Sequence, residues 1–428
     1  MNQSFYGWKL LAAVWVILAL TMGFAVYGGT IMNTTMITEM HWDRKSLGLV
    51  AGSFALFLGL ISPLTGFLVH KLGAKIAFSI GAVIVALGAL AMATIVNSVV
   101  GAAIGFGLVM GSGTTLCGTI PAQALIGYWF RKRVALALTI MTTGAVAGGV
   151  IATQVLTKVM VATNNNWRIG WFIVAAACAF AFICITLFIK NKPADIGQVQ
   201  DGVAEGNPSL DANAGSQPAS GVYKTTEDWT FKNAIRHPTF WMMLFGLAFS
   251  TIGAGMTGAH GMVHYKDLGH SPEMVAMFLS TMYVSSLVGK GIFAILGDRI
   301  EPRFLWSTAL IFQSIGMAMA VHATSIIELY VSGFLLGVGP SVVILSMFTL
   351  ATNYFGKTAY PMLMGVAGLF LALVPAIGAV LTGMVYDHFG SYAQAFYTES
   401  ALCIMGCLMI PFARPPVRAF EKLAQGLP

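Results

Sequence analysis

Charged residues are scarce in this sequence. They make up 9% of its 428 residues, whereas soluble proteins carry about 25%, and the mean hydropathy is +0.79. An ordinary soluble enzyme is therefore excluded. The 23 Lys and Arg residues are scattered between apolar runs, which argues against a nucleic-acid partner and favours loops that face anionic lipid.

Chemical motifs are missing as well. The five cysteines lie inside apolar runs without metal-ligand spacing, so they are predicted to be small buried residues, with no disulfide and no metal site. No phosphate-binding loop is present, because the glycine-rich "TTGAVAGG" (142–149) lies within an apolar run and suits helix packing. No nucleophile–base pair stands out. The sequence thus predicts neither an enzyme nor a cofactor.

Long apolar runs are what the sequence has instead. Each is long enough to cross about 30 Å of hydrocarbon, and the first lacks the cleavage site of a signal peptide. The sequence predicts an all-α membrane protein with twelve transmembrane helices in two pseudo-symmetric six-helix halves. The predicted spans lie near 8–30, 48–68, 76–96, 101–127, 134–160, 168–189, 238–262, 274–296, 304–322, 327–351, 362–385 and 394–412.

The domain organisation follows from composition. Residues 191–236 are rich in Gly, Pro, Ser, Asp and Asn, which predicts a solvated cytoplasmic linker between the halves 1–190 and 237–413, with a tail at 414–428. An inside N-terminus places most basic residues on the cytoplasmic side, as the positive-inside rule requires. Both termini are then cytoplasmic in an inner membrane. Among the lysines and arginines, this orientation leaves Lys290 deep within a span.

The two halves resemble each other in sequence. "GFGLVMG" (105–111) and "GFLLGVG" (333–339) are offset by 228 residues, and the same offset maps His70–Lys71 onto Asp298–Arg299. A parallel repeat of two six-helix halves is typical of transporters. It predicts a substrate site near the membrane midplane between the halves.

Two short loops resemble a signature of the major facilitator superfamily. "GFLVHKLGAK" (66–75) matches its pattern of glycines and basic residues but has histidine where the acid usually stands, and "AILGDRIEPR" (294–303) keeps the acid but has Ala294 and Glu301 for the glycines. The resemblance implies a conformational gate at the cytoplasmic helix ends; positive-inside anchoring alone is the alternative. The residues of this predicted gate are Gly66, His70, Lys71, Gly73, Asp298, Arg299 and Arg303.

Within the superfamily the chain is similar to bacterial monocarboxylate transporters and oxalate:formate antiporters. Stretches that carry this similarity are "GYWFRKRVALALTIMTTGAVAGG" (127–149) and "ALVPAIGAVLTG" (372–383). In those relatives an arginine of the eighth helix binds the substrate carboxylate, and Lys290 stands at its position here. An ionisable group inside a span usually faces a cavity or a partner, although a lysine can also snorkel to the interface. The antiporters' second cation is replaced by Ala367, which favours one carboxylate over a dianion.

Further site residues follow from the resemblance, for Tyr27 and Asp267, and from helix spacing and side-chain chemistry, for Tyr283 and His260. Tyr27 stands near the sequence position at which the antiporters have a pocket tyrosine. Tyr283 shares a helix face with Lys290 at a spacing of seven residues. Both tyrosines are predicted to contact substrate. Asp267 and His260 are predicted to couple protons. The alternative is a hydrated outer loop in which Asp267 pairs with Lys266.

The predicted function is secondary active transport of a small organic monocarboxylate, as a proton symporter that works by alternating access. The expected partners are the carboxylate, the proton and the lipid bilayer, and we expect the monomer to function. Two alternatives stay open. One is an organic anion exchanger of the oxalate:formate type, and the other is a membrane sensor that binds a carboxylate without moving it.

Overall fold

Helices account for the regular structure of the chain. The computed structural model describes residues 5–42, 44–202, 222–225, 227 and 229–416, and in these residues eleven helices are long and apolar enough to cross a membrane. One of them, Ile326–Phe389, has 64 residues and would measure about 95 Å at 1.5 Å per residue. Gly356 interrupts it with φ 70° and ψ −171°. The element therefore holds two spans, and the prediction of twelve is confirmed.

The first six spans are labelled α1–α6, and three of them are interrupted or change their helical type along their length. Each is given with its consecutive segments. The bounds are α1, Gly7–Leu18, Ala19–Gly28 and Gly29–Glu39; α2, Arg44–Leu60 and Ser62–Leu72; α3, Ala74–Thr94; α4, Val99–Ala102, Ala103–Met110, Gly111–Leu116 and Thr119–Trp129; α5, Val134–Ala162; and α6, Trp167–Phe188.

The remaining spans are labelled α7–α12 and follow a short helix, Phe231–Arg236. Four of them begin with proline or directly after a serine that caps the first turn, both of which suit helix starts. The bounds are α7, Pro238–Asp267; α8, Pro272–Leu296; α9, Pro302–Val321; α10, 326–355; α11, 357–389; and α12, Ala393–Met409.

Two π-helical stretches occur where helices pack closely. They are Ala19–Gly28 in α1 and Ala103–Met110 in α4, and the hydropathy pattern does not predict either. In the first stretch a Cβ on Gly23 would lie 2.4 Å from the carbonyl carbon of Gly148 in α5. The glycines of "TTGAVAGG" thus allow two helix backbones to touch, and their predicted role in helix packing is confirmed.

Contacts divide the chain into two units. The first comprises Met1–Asn207 with Met364–Ala372, and the second Pro208–Leu363 with Leu373–Pro428. In the first unit α3 packs on α6, α1 on α5 and α2 on α4, and in the second α12 packs on α7 and α9. The boundaries at 190 and 237 stay a prediction.

The segment predicted as a solvated linker is bonded to helices at its described ends. Asp201 accepts hydrogen bonds from the backbone N–H groups of Arg131 (3.1 Å) and Lys132 (2.9 Å). At the other end the Tyr223 N–H donates to Glu301 (2.9 Å), and Trp229 is 4% exposed. These ends differ from the prediction because hydrogen bonds tie them to the bundles: a linker carboxylate accepts backbone N–H groups at one end, and a bundle carboxylate accepts a linker N–H at the other. Residues 203–221 and the tail 417–428 lie outside the described residues.

Candidate functional site

The position of Lys290 follows from how α8 packs on α10. Small residues bring the two helices together: a Cβ on Gly337 would lie 2.0 Å from Ser285 Oγ, and one on Gly289 would lie 2.3 Å from Ser341 Oγ. Ser341 itself donates to the carbonyl of its own helix, as intramembrane serines usually do. Lys290 follows Gly289 by one residue and so lies beside this contact line, about 100° around α8.

Lys290 is half-buried and carries the only cationic group of α8. Within the part of the chain that the structure describes, no side chain or carbonyl hydrogen-bonds to it and no acid pairs with it. Tyr283 lies two turns earlier on the same face and is 68% exposed. Asp298, the next acid along the chain, follows eight residues later, about 12 Å along the helix direction. A half-buried ammonium group with open hydrogen-bonding capacity can bind an anion.

Tyr27 belongs to the first unit. It lies in the π-helical part of α1 and is 44% exposed. Its ring covers Gly149 of α5, where an added Cβ would lie 2.6 Å from the ring. The packing of α1 on α5 therefore fixes the position of this tyrosine.

The second unit brings the two predicted proton-coupling residues, His260 and Asp267, to one end together with His264. His260 Nε2 lies 2.9 Å from the carbonyl oxygen of Ala379 in α11, and its ring is 5.3 Å from that of Tyr392, the residue before α12. His264 lies one turn later, 5.8 Å from the same tyrosine ring. The two histidines therefore lie on one face of α7.

His264 is more deeply buried than His260. Its Nε2 lies 2.8 Å from the Ala320 carbonyl oxygen, and its ring stacks on Phe396 at 4.8 Å. The negative charge of Asp267 acts on this imidazole. Asp267 ends α7 and is exposed. Among the described residues it forms no ion pair with Lys266.

The first gate loop is a single residue between two helices. α2 ends at Leu72 and α3 begins at Ala74, and Gly73 between them has φ 86° and ψ 160°. Asn191 Oδ1 accepts a hydrogen bond from the Lys75 N–H at 2.9 Å. Gly66 is buried, and His70 and Lys71 are exposed.

The second gate loop is longer and is held by acids. Asp298 lies 3.9 Å from Lys224, and Glu301 accepts from the Tyr223 N–H (2.9 Å) and the Tyr354 hydroxyl (2.6 Å). Arg303 Nη1 donates to the Pro411 carbonyl at 3.3 Å, and Arg299 is exposed. Each gate loop is therefore tied to its own unit.

A buried acid of α12 was not predicted as a site residue. Glu399 is 1% exposed, and its Oε1 accepts from the Gly253 N–H at 3.0 Å and from Gln313 Nε2 at 3.4 Å. Its Oε2 is buried without a described hydrogen-bond partner. The sequence could have indicated Glu399, because an acidic residue inside a span points to a functional site just as a basic one does.

The comparison with protein families decides the identity of the fold. The family model described as Major Facilitator Superfamily matches residues 13–265 and 244–427. The chain belongs to the major facilitator superfamily. As a member it is a multi-pass membrane transporter, and the expectation that it is not an enzyme is confirmed by this membership.

Individual members of the superfamily are similar over most of their length. Monocarboxylate transporter 13 of Rattus norvegicus is 25% identical over 416 residues, which cover 94% of this chain and 87% of the relative. The hexuronate transporter of Escherichia coli K12 is 23% identical over 430 residues, 94% of each chain. The resemblance to monocarboxylate transporters is thus supported by a relative of that name.

A solved structure shows the same fold. The Major Facilitator Superfamily transporter FucP, in the outward conformation, superposes with a TM-score of 0.73 at 14% identity over 95% of this chain and 98% of FucP. At this identity the likeness concerns the fold alone. It agrees with the all-helical membrane fold that the sequence predicts.

Proposed function

We propose that this protein is a secondary transporter for a small organic monocarboxylate, which it carries together with a proton. The observation that supports the proposal most is Lys290, a half-buried cation on a membrane helix for which the described residues provide no counter-charge. Keeping an uncompensated charge within a membrane is costly. One bound carboxylate would offset this charge.

The nature of the substrate is further supported by the names of two relatives. One is a monocarboxylate transporter and the other a hexuronate transporter, and a hexuronate is a sugar acid with one carboxylate. Ala367, which replaces the antiporters' second cation, is 1% exposed. A dianion would therefore lack a second positive partner there. Tyr283, on the Lys290 face, is proposed to contact the same substrate, and Tyr27 is proposed as the contact contributed by α1.

Proton coupling is proposed for the titratable end of α7. His260, His264 and Asp267 share this end with Tyr392. Histidine with an ordinary pKa of about 6.5 exchanges protons readily near neutral pH. We assign proton exchange with the outer solution to His260 and Asp267, in an inner membrane with both termini in the cytoplasm.

Lys290→Ala tests the substrate site. Uptake of labelled lactate and pyruvate is measured in proteoliposomes with and without an imposed pH gradient. Losing a hydrogen bond to a charged group costs about 1.5–3 kcal/mol, so we expect the apparent affinity to fall about 10- to 150-fold. Lys290→Arg keeps the charge and should retain part of the uptake.

Lys158→Ala is the matched control, because Lys158 is an exposed lysine near the end of α5 and its loss should leave uptake unchanged. Wild-type uptake by Lys290→Ala would contradict the role of Lys290. Uptake that needs internal counter-substrate and ignores the pH gradient would instead indicate an anion exchanger. Saturable binding without flux would indicate a sensor.

A further inference from the structure

We infer that Glu399 in α12 is a proton-binding site of the second unit, and that it holds its proton in the conformation seen here. The inference rests on the proposed proton coupling and deepens it, because it separates the residue that stores the proton from the outer residues that exchange it with solvent. Two observations carry it: the hydrogen-bond pattern of the carboxyl group, and its alignment with the titratable end of α7.

The hydrogen bonds around Glu399 are one-sided. Its Oε1 accepts from the Gly253 N–H of α7, from Gln313 Nε2 of α9 and from the Cys403 thiol at 3.7 Å. Its Oε2 is buried and accepts from no described donor. A carboxylate would place half of its charge on that bare oxygen. Three donors on one oxygen and none on the other instead match a protonated carboxyl, with the carbonyl at Oε1 and the hydroxyl at Oε2.

No positive group compensates this acid within the described residues. The groups that face it are polar but neutral: Ser250 and Gly253 from α7, Gln313 from α9 and Cys403 from α12. An isolated carboxylate in such a place costs far more than a neutral carboxyl, so burial favours the protonated form. An unpaired hydroxyl costs only about 1–3 kcal/mol.

The polar partners hold each other in place. The Ser250 hydroxyl donates to Gln313 Oε1 at 2.6 Å, and Gln313 Nε2 donates back to the Ser250 carbonyl at 2.6 Å. The amide of Gln313 is thereby oriented with its nitrogen toward Glu399. The carboxyl group therefore connects α7, α9 and α12 at one point, and a change in its protonation alters the hydrogen bonds between these three helices.

The alignment of α7 and α12 connects Glu399 to the outer residues. Gly253 of α7 contacts Glu399, and His260 lies seven residues after Gly253 on the same face of α7. Tyr392, directly before α12, lies seven residues before Glu399. The rings of His260 and Tyr392 are 5.3 Å apart. The contact between Gly253 and Glu399 and the ring pair of His260 and Tyr392 are thus about 10 Å apart along the helices. His264 stacks on Phe396, one turn before Glu399.

Apolar side chains close this path in the structure. Met256, Met317 and Phe396 belong to one buried cluster between the outer histidines and Glu399, and each is at most 3% exposed. A proton on Glu399 therefore cannot exchange through the described contacts until α7 and α12 separate. Alternating access requires that a coupled proton be enclosed in one conformation and released in another. A proton on Glu399 is enclosed in this conformation.

Glu399→Gln tests the inference, because glutamine keeps the shape and the Oε1 acceptor but binds no proton. In proteoliposomes we expect accumulation of labelled lactate or pyruvate driven by a pH gradient to fall to the level of protein-free vesicles. Exchange of the same labelled acid across vesicles at equal pH should continue. Asp387→Asn, which removes an exposed acid at the end of α11, is the control and should retain both activities.

Infrared spectroscopy of the purified protein tests protonation without any substrate. We expect a protonated-carboxyl band at neutral pH that disappears in Glu399→Gln. A shift of this band in Glu399→Asp would assign it to the side chain at position 399. Asp387→Asn should leave the band unchanged. The inference would be overturned if Glu399→Gln kept every carboxyl band of the wild type, or if this variant accumulated the labelled acid at the wild-type level under a pH gradient. If the wild type shows no gradient-driven uptake but the band is assigned to Glu399, the proposed coupling fails and the protonated site stands.

Discussion

The two gate loops occupy equivalent places in the sequence repeat but are built differently. Gly73 and Glu301 are related by the offset of 228 residues. Gly73 is the whole connection between α2 and α3, whereas the chain from Gly297 to Glu301 connects α8 to α9. The first loop is thus a one-residue turn and the second a five-residue connection.

The backbone explains the residue at each position. Gly73 has φ 86° and ψ 160°, a conformation that is open essentially only to glycine. Glu301 has φ −54° and ψ 119°, which any residue adopts and which the following Pro302 favours. The second loop therefore does not need the signature glycine, and a carboxylate can take its place.

The partners of the two loops differ as well. At the first loop an amide, Asn191, accepts a backbone N–H. At the second, Glu301 joins Tyr223 of the linker end to Tyr354 at the end of α10. The comparison indicates that the first loop depends on backbone geometry and the second on side-chain acceptors that bond the linker end to α10.

Gly73→Ala should have the largest effect on stability. The new Cβ would be strained in this backbone conformation, at a cost of about 1–3 kcal/mol, and it would lie 2.6 Å from the amide nitrogen of Asn191. Displacing Asn191 loses the acceptor for the Lys75 N–H, about 1 kcal/mol more. The measurement is the thermal unfolding temperature of the detergent-solubilised protein.

Gly197→Ala is the control for this change. Gly197 also has positive φ, 68°, but an added Cβ meets no atom within 4 Å. It should therefore lower the unfolding temperature less than Gly73→Ala. Equal effects at the two glycines would show that the contact with Asn191 contributes nothing to the first loop.

Glu301→Gln should have an intermediate effect. Glutamine offers one acceptor oxygen in place of two, so either the Tyr223 N–H or the Tyr354 hydroxyl loses its partner, at a cost of about 1–2 kcal/mol. Tyr354→Phe removes one donor, and the double variant measures the coupling between them. Additive losses in unfolding temperature would contradict a direct bond between Glu301 and Tyr354.

The sequence predicts the spans of this fold well because their requirements are local. About 20 apolar residues must cross the hydrocarbon, and α8 and α3 begin and end within two residues of the predicted 274–296 and 76–96. Lys290 is conspicuous for the same reason, since an ionisable residue in such a run is rare.

Contacts between distant residues could not be predicted in this way. Lys75 and Asn191 are 116 residues apart, Tyr223 and Glu301 are 78 apart, and Gly253 and Glu399 are 146 apart. No periodicity connects such pairs, because they depend on which helices pack together. The roles of Asn191 and of the linker end in the two loops follow only from the structure.

Asp298→Asn should have the smallest effect, although Asp298 is the acid that matches the superfamily signature. Its Oδ1 lies 3.9 Å from Lys224 Nζ, and both side chains are 17% exposed. An ion pair of this length near solvent contributes at most about 1 kcal/mol and is weakened by salt. Loss of this ion pair should therefore lower the unfolding temperature less than Glu301→Gln does, by an amount that diminishes as salt is added. If Asp298→Asn proved the more damaging of the two, the second loop would depend on the signature acid, as the sequence resemblance alone implies, and Glu301 would be secondary.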